Sequence, residues 1–130
     1  MVFGLRHSLT GKYTAAELVQ LVHEQEGIVI AAHPYKLSRS GKTQYYGAGD
    51  RIYHLSIDAV ELCHPDHSGL AVTRVQKAMQ KLNIPGVGGS DAHKIFSVGS
   101  CVTLFDNKIE NEADLIRQIR QGSVQAEKRF

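Results

Sequence analysis

The chain has 130 residues, and its 15 Lys and Arg against 13 Asp and Glu leave a net charge of +2 with neutral histidines. That length suffices for one domain with a core, while the charge is too small to argue for a nucleic-acid or membrane partner. Apolar residues at 42% and charged residues at 22% are the balance of an ordinary globular protein. Cys63 and Cys101 form no C-x-x-C and read as two reduced, buried thiols of a cytoplasmic protein. No apolar run approaches the ~18 residues of a membrane span, and the Met1 end does not read as a signal peptide. The one basic cluster, Lys128-Arg129, reads as a frayed, solvated tail.

In chain order, "VFGL" at 2–5 reads as the inside of a strand. Thr14-Ala-Ala-Glu17 is a capping box, followed by Leu18, Leu21 and Val22 at helical spacing and by Gly27 in a C-cap position. This predicts a first helix over about 14 to 26. "GIVIAA" (27–32) is a continuous, β-branched apolar run, the pattern of a strand buried on both faces; it runs into His33-Pro34. Residues 35 to 50 are polar, contain glycine and read as a loop. "DAVEL" (58–62) is a second short strand, running into Cys63-His64-Pro65. Ser68 or a neighbour opens a second helix with Val72, Val75, Met79 and Leu82 as its stripe. "PGVGG" (85–89) is a third strand, ending at Ser90-Asp91-Ala92-His93, and "SCVTLF" (100–105) is a fourth. Asn111 caps a last helix, with Leu115, Ile116 and Ile119 inward and Gly122 at its end. Strands alternating with helices predict an α/β fold of β-α units on a mainly parallel sheet, without an internal domain boundary.

Such folds place ligands at the C-terminal ends of their strands. Here three strand ends carry imidazole or carboxylate: His33; then Glu61 and His64; then Asp91 and His93. In D-x-H the two side chains share a side if the backbone is extended, so Asp91 and His93 suit one ion or an adjacent pair. Mixed nitrogen and oxygen donors fit Zn, Mn or Fe. Plainer readings stand beside these. Glu61 is also readable as a surface carboxylate or a partner for Arg51, and His64-Pro-Asp-His67 as a turn with an Asp cap. His7, His23 and His54 read as structural. Gly86-Val-Gly88-Gly89 is no dinucleotide fingerprint, because its last glycine would fall at Asp91, and Ser90 lacks the G-x-S-x-G of a nucleophile elbow.

"IAAHPYK", "IDAVELCH", "GVGGSDAH" and "VGSCVTLF", in that order, resemble the PHP (polymerase and histidinol phosphatase) family, from about residue 14 to 122. The closest likeness is to the C-terminal half of its small phosphoesterases. The resemblance implies half of a distorted β-α barrel and a cluster of divalent metal ions at the strand C-termini. It implies His33, Asp91 and His93 as metal ligands and Lys36 as a contact for substrate phosphate. The parent activity it implies is hydrolysis of a phosphate ester, on a small molecule or a nucleotide, by metal-activated water. Family sites also need an H-x-H, and none occurs in these 130 residues. The chain therefore reads as a single domain, the C-terminal part of a PHP domain without its N-terminal half. The expectation is a fragment with little or no activity alone, with a non-catalytic metal- or partner-binding module as the alternative. A barrel cut in half would bare strand edges and one face of "GIVIAA" and "DAVEL", so a homo-oligomer is also expected.

Overall fold

The computed structural model describes residues 1–40 and 42–130. The sheet is built from β1 (Val2–Phe3), β2 (Ile28–Ala31), β3 (Ala59–Cys63) and β4 (Gly86–Gly88), in that spatial order. β2, β3 and β4 are parallel, and β1 runs antiparallel on the outer side of β2. The helix α1 (Ala15–Glu24) precedes β2, and α2 (Gly69–Leu82) connects β3 to β4. This is the alternating, mostly parallel α/β arrangement that the apolar patterning predicts.

The capping chemistry works as the sequence implies. Thr14 and Glu17 bond each other's backbone at the start of α1, Ser68 accepts from Ala71 N–H at the start of α2, and Asn111 caps α3 (Glu112–Gln121). One detail differs. Helix α1 closes on Glu26 at φ 63°, not on Gly27, and the Gly27 N–H returns to Val22 O at 3.0 Å. Gly27 is needed because a Cβ there would strike Phe3 O and the Val22 side chain, where β1 crosses beneath the helix end.

The last third of the chain departs from the parallel pattern. β5 (Cys101–Phe105) and β6 (Val124–Lys128) pair antiparallel across α3, from Cys101 opposite Lys128 to Phe105 opposite Val124. The tail expected to fray is thus the strand β6 up to Lys128. Its alternation was hidden by polar residues: one face carries buried Val124, half-buried Ala126 and exposed Lys128, and the other carries Gln125 and Glu127.

The faces of "GIVIAA" and "DAVEL" are not bare. Alternate residues point to opposite sides. Val29 and Val60 pack with Val19, Val22, Ala71, Val75 and Ala78 of α1 and α2. Ile28, Ile30, Ala59 and Val87 pack with Ile119 of α3 and Val124 of β6. Covering each valine or isoleucine side chain contributes about 1.5–3 kcal/mol relative to exposure, and both faces gain it within one chain. The expectation of a homo-oligomer therefore keeps only the sheet edge as its ground.

Cys63 and Cys101 are paired as a disulfide, with Cα atoms 5.7 Å apart, contrary to the expectation of two free thiols. Sequence spacing gave no hint because the bridge is tertiary: it joins the end of β3 to the start of β5. Unfolding in denaturant without reductant is expected to expose no thiol to Ellman's reagent, and two after reduction. Two reactive thiols before reduction would contradict the pairing.

Candidate metal centre

The C-terminal ends of β2, β3 and β4 meet at one rim, and the side chains found there come from the residues just past each strand. His33 follows β2, His64 follows β3 and Asp91 follows β4. Each offers a ligand atom within 4.8 Å of the other two, a grouping able to hold a metal ion. Two of these three residues sit at positive φ, His33 at 27° and Asp91 at 44°. Backbone strain of this sort costs on the order of 1–3 kcal/mol and concentrates at functional sites.

Glu61 lies beneath the group, almost wholly buried within β3. Its carboxylate accepts the His33 N–H at 2.6 Å. A Cβ on Gly89 would collide with Glu61 Oε1, so the glycine keeps open the space the carboxylate fills. Burial pushes the Glu61 carboxyl up to about 7, against the opposing pull of the His33 N–H. The surface carboxylate and the partner for Arg51 considered from sequence are both replaced by a buried acid inside the site.

Lys36 reaches in from the segment after His33-Pro34. Its Nζ lies 2.8 Å from Asp91 Oδ2 and 2.9 Å from Asp66 Oδ2. The hydrogen bond from Lys36 holds Asp91 and Asp66 below the usual carboxylate range, and its bond to Asp91 raises Lys36 in turn.

The histidines differ in what their ring nitrogens do. His64 Nδ1 accepts the Asp66 N–H at 3.0 Å, so its Nε2 carries the proton and donates to Asp91 Oδ2 at 3.3 Å. His64 is nearly fully buried, and burial lowers its pKa despite the Asp91 hydrogen bond. His33 Nδ1 is buried and has no partner among the described residues. His93 turns aside from the three: its ring is exposed, and its Nδ1 donates to Asp91 O at 2.8 Å. Of the residues singled out from sequence, the structure brings His33, Asp91 and Lys36 together and leaves His93 at the margin. His64, one of the polar strand ends noted from sequence but also readable as a turn residue, joins them.

A groove of about 410 Å³ runs past the group, lined among others by Arg39, His64, Asp66, Asp91, His93 and Lys94. It combines cationic side chains with part of the histidine–carboxylate cluster. His23 and Asp58, by contrast, form a structural pair at 2.8 Å, and Asp58 also accepts the Val29 N–H. No described helix is long and apolar enough to cross a membrane.

A mostly parallel α/β sheet whose strand ends bring imidazole and carboxylate together defines the class: an α/β fold with a His–Asp group at one rim that could hold a metal ion. Comparison of sequences then finds a partial family match. Residues 69–124 match the PHP-associated family, PHP_C, from the start of α2 to the first residue of β6. The likeness read from the motifs is thus shown over that span, which contains Asp91 and His93 but not His33 or His64. No curated protein matches the sequence.

Proposed function

We propose that this chain supplies part of the active centre of a PHP-type, metal-dependent phosphoesterase. The observation that carries the proposal is the convergence of His33, His64 and Asp91 at the strand C-termini, in a chain that matches the PHP-associated family. The donor set suits a divalent ion: the His33 Nδ1 is buried and unpartnered among the described residues, and mixed imidazole and carboxylate ligation fits Zn, Mn or Fe. His33 and Asp91 would hold the ion, with His64 joining them once its Nε2 sheds the proton it now gives to Asp91, and with His93 adding a ligand from the exposed side if its ring turns inward. Bound there, such an ion polarises a phosphoryl oxygen and makes water a nucleophile near neutral pH.

The chain's own residues divide the remaining work. Glu61 fixes the His33 backbone, and its carboxyl near neutrality can hold or release a proton beside the ion site. Lys36 neutralises Asp91 and Asp66, and it is the residue we assign to a substrate phosphate, a phosphate ester of a small molecule or a nucleotide. Arg39 and Lys94 line the approach. The sequence holds no H-x-H, so the ligand set is smaller than that of the family's sites, and turnover by this chain alone is expected to be absent or very low. A screen of phosphomonoesters and nucleotides with added Mn²⁺ or Zn²⁺ tests this. Robust metal-dependent hydrolysis abolished by Asp91→Asn would show that the site is more complete than proposed.

A second reading, a non-catalytic module that binds metal or a partner, has its own support. Ile95, Phe96 and Val98 lie two to five residues after His93 and are 91%, 72% and 64% exposed. Apolar side chains clustered beside a groove suit contact with another macromolecule. Both readings expect little turnover from this chain alone, so the result that favours this one is loss of partner binding with unchanged metal uptake in an Ile95→Ser, Phe96→Ser variant.

A further inference from the structure

His67 closes the turn that begins at His64, its N–H bonding His64 O at 3.1 Å, immediately before the Ser68 cap of α2. Its Nδ1 lies 3.1 Å from Leu62 O. A carbonyl oxygen only accepts, so Nδ1 is the protonated nitrogen and Nε2 carries the bare lone pair. That Nε2 is buried and without a partner among the described residues. A buried acceptor left alone is costly, and an imidazole whose Nδ1–H is fixed by a backbone carbonyl is the usual arrangement of a metal-bound histidine.

The neighbours strengthen the case. The His67 ring centroid is 5.2 Å from that of His64, which is 5.2 Å from that of His33. The middle ring is committed at both nitrogens, to Asp66 N–H and to Asp91. The two outer rings each have a buried nitrogen that is unpartnered among the described residues. His64 as it stands is therefore a positioning residue that steers Asp91, and it needs to shed its Nε2 proton before it can ligate.

We propose that His67 is a ligand for a divalent cation at this rim, through Nε2, and that the Leu62 carbonyl presets its tautomer. The proposal rests on reading the rim as a metal site and adds a residue from outside the strand-end group. Long-range ¹H–¹⁵N NMR of the ¹⁵N-histidine-labelled chain, titrated with Zn²⁺, tests it on the unmutated protein. Without metal, the His67 signal is expected to report an Nδ1–H tautomer, and with Zn²⁺ its Nε2 resonance is expected to shift with that of His33. His67→Gln is expected to weaken Zn²⁺ binding ~10-fold or more, with the exposed His7→Ala as an unaffected control. A His67 resonance that stays in place while His33 shifts would overturn this inference and leave the site reading intact. No Zn²⁺ response from any histidine would overturn both.

Discussion

Between pH 4.5 and about 8, the stability of the metal-free chain relative to its Glu61→Gln variant is expected to fall by roughly 3 kcal/mol. Burial raises the Glu61 carboxyl from 4.5 to about 7 in the folded chain. Between those values the folded state binds more protons than the unfolded state, so stability drops as pH rises and levels off above the folded value. Glutamine keeps an oxygen for the His33 N–H but carries no charge at any pH, which removes the dependence. His64 and His67 act in the opposite sense, because burial lowers both below 6.5. Each adds stability as pH rises toward its unfolded value. They titrate in both proteins, so the difference between the two denaturation profiles isolates Glu61. Parallel profiles across the range would show that Glu61 is ionised at little cost.

Gly88→Ala is expected to cost about 3 kcal/mol or more and to disturb the rim. A Cβ on Gly88 would run into Val102 O and lie 2.7 Å from the Val102 carbonyl carbon, so backbone would have to move against backbone. The seam is closed on both sides by Thr103, whose Oγ1 accepts the Gly88 N–H at 3.0 Å and donates to Gly88 O at 2.9 Å. Pushing β4 off β5 breaks those bonds and shifts the Ser90-Asp91 turn that follows. Gly69→Ala is the control: nothing lies within 4 Å of its added Cβ, at the first position of α2, and alanine there is expected to be neutral or stabilising. Equal melting behaviour for the two variants would mean that the β4–β5 seam yields more easily than its geometry implies.

Much of this was legible in the sequence where the signal was local. Thr14, Ser68 and Asn111 marked helix starts because capping is decided within three residues. "GIVIAA" and "DAVEL" gave buried strands because both their faces are apolar. The polar strand ends at His33, Glu61, His64, Asp91 and His93 pointed to one rim because parallel strands place their ends together. What escaped was tertiary. β6 has no apolar run, since its pairing with β5 comes from backbone bonds and from Val124 alone. The Cys63–Cys101 bridge spans 38 positions. Glu61 was noted at its strand end but read equally as a surface carboxylate, and only the packing of Gly89 and His33 around it shows a buried acid. His67 looked like a turn residue, and the ligand role proposed for it rests on which ring nitrogen faces Leu62 O, a fact no spacing encodes. His93 follows the D-x-H rule only if its backbone is extended, and Asp91 at φ 44° breaks that condition.

The claim that this rim binds metal through His33 and Asp91 is tested most directly by equilibrium dialysis against Mn²⁺ and Zn²⁺, with metal counted by elemental analysis. The chain is expected to take up ion weakly, given its short ligand set. His33→Ala and the Asp91→Ala, His93→Ala double variant are expected to lose that uptake while keeping their fold by circular dichroism. Undiminished binding in both variants would contradict the assignment, as would a folded wild-type chain that takes up no metal at all.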